Sequence, residues 1–253
     1  MGKTSLGLFV FFLVSGTTSA LATAGCAVPL YAPLASERQN WKELESLAVN
    51  KSLNSGIEFV QGIADKGHGA LNLDFYSVTI DANGQSASQL MKDLRLNLNE
   101  VMFKGTTYGL AAYDAANEAK WKSADPKGAL MTFTLAGVEG VMPLERGSVV
   151  VSCFSTESFV FSTVKTAKDG LHPVAGSRAF GVHDHGNGSL SIYVKAADRV
   201  VNEGLFAALG AGLQEKVFEQ GHTVWLRLMD NLEAKFKDRH PRDRFVHSVR
   251  LPY

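Results

Sequence analysis

The chain has 253 residues with 25 basic and 25 acidic side chains, so it lacks the basic excess that non-specific binding to nucleic acid requires. Its length suffices for one large domain or two small ones. Beyond the first residues no apolar run is long enough to span a bilayer as a helix, so no transmembrane segment is expected.

Met1-Gly2-Lys3 supplies one basic residue, Leu6 to Val14 a short apolar core, and the following stretch small residues ending in Ala22-Thr23-Ala24. This order reads as a secretory signal peptide over residues 1–24, leaving a mature chain from 25 to 253 that is exported, secreted or periplasmic. Thr23-Ala24-Gly25-Cys26 admits a second reading as a bacterial lipobox, with Cys26 as a lipid anchor, although Thr23 stands where a large aliphatic residue belongs. Cys26 and Cys153 are the only cysteines, and an oxidising compartment allows them to form a disulfide. If Cys26 is acylated, Cys153 is instead a buried thiol.

Pro29 to Pro33 reads as extended, and Ser36 as the cap of a helix running to about Val49 with Trp41, Leu44, Leu47 and Ala48 on one face. Ile57 to Gly69 fits either a short helix or irregular chain. Leu71 to Ile80 alternates and is rich in strand formers. After an Asp81-Ala-Asn-Gly84 turn, Leu90, Leu94, Leu98, Val101 and Met102 mark a helix over about Ser88 to Phe103.

Thr106 to Tyr113 fits a strand and Ala115 to Trp121 a helical turn. Five strand-like runs follow, Ala129–Leu135, Ser148–Phe154, Ser158–Val164, Arg178–His183 and Ser189–Lys195, separated by hairpin-length connections that predict one antiparallel meander. Leu205 to Phe218 is apolar, Gly221 interrupts it, and Trp225, Leu228, Met229, Leu232 and Phe236 then form an amphipathic helical stripe closed by Pro241. Phe245 to Pro252 alternates as an edge strand does.

The expected fold is therefore α+β, an antiparallel sheet packed on a long C-terminal helix. That order resembles helix-grip folds, in which a curved sheet wraps the last helix and leaves an apolar cavity between them. A sheet with one apolar face must bury it, and the Trp225–Phe236 stripe is the longest apolar partner available. On this reading Trp225, Leu228, Met229 and Leu232 are the candidate binding residues for an apolar small molecule.

The texts Asp93 to Glu100, Trp121 to Ala129, and His172-Pro-Val-Ala-Gly-Ser-Arg-Ala-Phe-Gly181 followed by Ala197-Asp-Arg199 resemble uncharacterised bacterial secreted proteins. That resemblance brings with it no activity, no cofactor and no site residue.

Polar chemistry concentrates between Leu171 and Arg199. His183 and His185, two apart on a strand, share a face, and with His172 or Asp198 they would supply the ligands of a metal-assisted hydrolase. The adjoining Gly186-Asn187-Gly188 suits a solvated hairpin mouth equally well. Arg178 with Asp198-Arg199 forms a second constellation, with Asp198 expected near the level of Gly176 to Arg178 and a bidentate Arg–Asp pair closing the hairpin. There is no Gly-x-Ser-x-Gly elbow, no His-Glu-x-x-His helix, no Cys-x-x-Cys pair and no phosphate-cradling glycine loop, so a non-enzymatic reading is preferred to an enzymatic one. An exported effector or interaction module, recognisable by an exposed apolar patch, is the remaining alternative.

Overall fold

The computed structural model describes residues 37–104, 108–135, 145–201 and 211–253. The signal-peptide segment, Cys26 and its pairing with Cys153, and the separators Gly137 and Gly140 lie outside these residues.

Among the described residues nine strands form one antiparallel sheet: β1 (Ile57–Val60), β2 (Gly67–Asp81), β3 (Gly109–Ala112), β4 (Leu130–Leu135), β5 (Glu145–Phe154), β6 (Ser158–Thr166), β7 (Val174–Asp184), β8 (Ser189–Val201) and β9 (Arg242–Leu251). Their order is β3-β4-β5-β6-β7-β8-β2-β9, so the expected meander from β4 to β8 is present and the terminal strand closes on the other side of β2. β1 pairs with the end of β6 that β7 leaves unpaired.

Three helices cover one face of this sheet: α3 (Ala87–Leu96), α4 (Leu98–Met102) and α6 (Ala211–Lys235). The short helices α1 (Lys42–Glu45) and α2 (Ile63–Lys66) lie behind it, and α5 (Ala115–Lys122) follows β3. α3 begins with a capping box, in which the Ser86 hydroxyl accepts from the Gln89 N–H and the Gln89 side chain accepts from the Ser86 N–H.

The main core lies between the sheet and α3, α4 and α6, and a smaller one lies behind the sheet around Trp41, Leu44, Leu71, Leu73 and Phe75. β2 serves both. Its first half turns Leu71, Leu73 and Phe75 to the back core, while its second half turns Tyr76, Val78 and Ile80 to the main core. Since successive strand side chains alternate faces, the apolar phase reverses between Phe75 and Tyr76.

Three expectations fail locally. The first predicted helix shrinks to a 3-10 turn over Glu37–Trp41 and the single turn α1, where the Ser46 hydroxyl caps the Lys42 carbonyl at 2.6 Å. The predicted Ser88–Phe103 helix breaks at Asn97, whose side-chain amide donates to the Asp93 carbonyl at 2.9 Å. Gly221 interrupts nothing, because α6 runs through it without a break.

α6 crosses the sheet face and is tied to β9 by Arg244 to Asp230 at 2.6 Å and by Arg250 to Glu215. Toward its C-terminal end Leu228, Met229 and Leu232 are buried in the main core. No described helix is long and apolar enough to cross a membrane.

Candidate functional site

Between the sheet and the N-terminal half of α6 lies a cavity of about 280 Å³. Its walls are aromatic, with Phe133 and Phe161 from the sheet, Phe103 and Tyr108 beside α4, Phe180 from β7 and Trp225 from α6. Val217, Phe218, Gly221 and Val224 line the helix side. A Cβ built on Gly221 would meet no atom closer than Trp225 Nε1 at 3.9 Å, so the absent side chain is part of the space.

Part of the cavity lining is a polar cluster, the polar end of the site, and strand register builds it. Asn72 of β2 and Gly176 of β7 both stand opposite Asp198 of β8, while Asp74 and Arg178 both stand opposite Ala196. With only a methyl group between them, Asp74 and Arg178 reach across the middle strand and meet. Arg178 Nη2 donates to Asp74 Oδ2 and to Asp198 Oδ2, each at 3.1 Å. Asn72 Nδ2 donates to Asp74 Oδ2 at 2.9 Å and Asp198 Oδ1 at 3.2 Å, and Ser248 Oγ of β9 donates to Asp74 Oδ1 at 2.7 Å. The indole of Trp225 lies over the guanidinium at 4.0 Å and holds its plane.

Glycine is required at position 176 by close approach. A Cβ there would lie 2.2 Å from the Ala197 carbonyl oxygen and 2.8 Å from Asp198 Cβ. Any side chain would push Asp198 out of register with Asn72.

Burial is the leading influence on the Asp198 carboxyl and raises its pKa to about 6, against the opposing pull of Arg178. His172, buried in the cavity wall, is driven the other way to about 4 by desolvation, so it is neutral at ordinary pH. The Gln61 side chain clamps the His172 backbone, accepting from its N–H at 2.8 Å and donating to its carbonyl at 2.9 Å.

Of the candidate residues, Arg178, Asp198, His172 and Trp225 converge on this cavity. The others do not. Leu228, Met229 and Leu232 are core residues and line no part of it. Arg199, one residue from Asp198, points to the opposite face, where it donates to the carbonyls of Gly69 and Ile63 under the Tyr253 ring. The Arg178–Asp198 pair is not bidentate: one nitrogen of Arg178 bridges two carboxylates.

His183 and His185 do not join Asp198. On β7 His183 has the parity opposite to Arg178, and His185 Nε2 lies 2.7 Å from Ser191 Oγ at the hairpin mouth. Among the described residues no group of three or more His, Cys, Asp or Glu is placed to hold a metal, so the constellation required by a metal-assisted hydrolase is not assembled. Cys153 packs against the back core, away from the cavity.

Asn72 and Asp74 complete the site and were not among the candidates. A signal for them exists in the sequence: the reversal of apolar phase within β2 requires both faces of that strand to be buried, which places these two polar side chains inside.

No family model and no curated protein matches the sequence. Among solved structures the chain is similar to a conserved protein from Geobacillus kaustophilus, with 10% identity and a TM-score of 0.42 over 68% of this chain and 99% of that one. It is also similar to the Zhui aromatase/cyclase from Streptomyces sp. R1128, with 9% identity and a TM-score of 0.44 over 67% of this chain and 95% of that one.

Proposed function

We propose that this protein is a non-enzymatic exported binder that holds a small, largely apolar molecule between its sheet and C-terminal helix. The observation that carries this reading is the cavity of about 280 Å³, lined by aromatic side chains and by the hydrogen-bonded cluster of Asn72, Asp74, Arg178 and Asp198. Such a combination of apolar walls and few converging polar groups is the common form of a small-molecule site. A plainly packed core would leave no such space, since interiors are filled to crystal-like density.

Support for export comes from the order of charge, apolar core and small residues before Gly25. Intact-mass measurement of the protein from its host distinguishes a chain starting at Gly25, with Cys26 and Cys153 joined, from one acylated at Cys26.

The binding reading is tested with an apolar fluorescent probe, N-phenyl-1-naphthylamine. The full chain is expected to bind it with saturable enhancement, and Gly221→Leu, which places a side chain in the cavity, is expected to lose that binding while remaining folded. Equal enhancement by both proteins would place the probe elsewhere and defeat the reading.

A further inference from the structure

We infer that the polar end of the cavity recognises a neutral hydroxyl group, a phenol or an alcohol, carried on an aromatic or similarly apolar skeleton. This rests on the binding reading above and specifies its ligand.

Arg178 Nη2 is engaged by Asp74 and Asp198, but Arg178 Nη1 is buried without a hydrogen-bond partner among the described residues. An unpaired buried donor is destabilising until something accepts from it. A carboxylate offers about four acceptor positions. Among the described residues Asp74 accepts from Asn72, Arg178 and Ser248, whereas Asp198 accepts from Asn72 and Arg178 alone. A spare donor and a spare acceptor therefore sit on two groups already in contact at 3.1 Å.

A hydroxyl is the small group that answers both, accepting from Arg178 Nη1 and donating to Asp198. The other polar ends a ligand could bring do not answer both groups. Within this cluster two carboxylates face the Arg178 guanidinium, so a carboxylate or sulfonate seated against Arg178 meets two like charges, with Arg227 the other cationic residue of the lining. An ammonium ion is drawn by the carboxylates but has no acceptor to offer, so it leaves Arg178 Nη1 unpaired. Phe161, Phe180 and Trp225 then provide edges and faces for the ring that bears the hydroxyl.

The test is displacement of N-phenyl-1-naphthylamine from the full chain by four ligands of one shape: naphthalene, 2-naphthol, 2-naphthoate and 2-naphthylmethylamine. The expected result is that 2-naphthol displaces the probe at about tenfold lower concentration than naphthalene, with 2-naphthoate the weakest. In Asp198→Asn and Arg178→Met the advantage of 2-naphthol over naphthalene is lost. If Arg178→Met does not fold, the wild-type series and Asp198→Asn decide. Equal or absent displacement by naphthol and naphthalene, or preference for the amine or the carboxylate, overturns the inference and leaves the cavity reading standing. Failure of the probe itself to bind overturns both.

Discussion

Arg178 is held by two carboxylates, and this asymmetry decides how each partner responds to substitution. The side chains of Arg178, Asp74 and Asp198 are 15%, 5% and 9% exposed, so removing the guanidinium they share leaves two buried carboxylates facing each other. Arg178→Met is expected to destabilise by about 3–5 kcal/mol. Asp198→Asn leaves Arg178 paired with Asp74 and should cost less than about 1 kcal/mol near neutrality, as measured by denaturant unfolding. The two titrating groups of the cavity wall act in opposite senses on stability. Asp198, raised to about 6, favours the folded state at low pH and loses that contribution as pH rises from about 4 to about 6. His172, lowered to about 4, contributes stability above about 6.5 that is lost as pH falls toward 4. The two changes offset each other in the wild type. Acidification from pH 6 to 4 should therefore destabilise Asp198→Asn more steeply than the wild type, and parallel curves would show that Asp198 is not titrating there.

At the scale of elements, α6 divides into a half that packs and a half that leaves room. Leu228, Met229 and Leu232 fill the core, so Leu228→Ala should lose about 2–5 kcal/mol with probe binding retained in the folded protein. Gly221→Leu should do the reverse. It removes a mid-helix glycine, worth up to about 1 kcal/mol of added stability, and eliminates binding. Thermal unfolding and probe titration of the two variants together check this crossed pattern. The same division explains what could be read in the chain beforehand. The β4–β8 meander, the terminal edge strand and the amphipathic stripe from Trp225 to Phe236 were legible because apolar spacing marks tight packing. The cavity was not, since it depends on positions where something is missing, as at Gly221, and a stripe of large apolar residues points away from it. Asp198 was legible as a partner of Arg178 from hairpin register alone. Asp74 was not, because pairing of β2 with β8 joins residues over a hundred positions apart, which no local pattern reports.

For the whole molecule the two cores have different tasks. The back core, closed by Trp41 and α1, secures the long strands β2 and β8 that carry Asn72, Asp74 and Asp198, with Trp41 Nε1 donating to the Asp74 carbonyl at 3.2 Å. The front core is complete at one end of α6 and open at the other, so a ligand entering there stabilises the fold by mass action, by about 2.7 kcal/mol at a hundred times its dissociation constant. Native mass spectrometry of the protein purified from its own host tests this account most directly. A bound small molecule that is lost on denaturation, and that is absent from Gly221→Leu prepared in the same way, is the result expected. A wild-type protein that carries nothing, and whose mass and melting temperature do not change with N-phenyl-1-naphthylamine or 2-naphthol at saturating concentration, would contradict it.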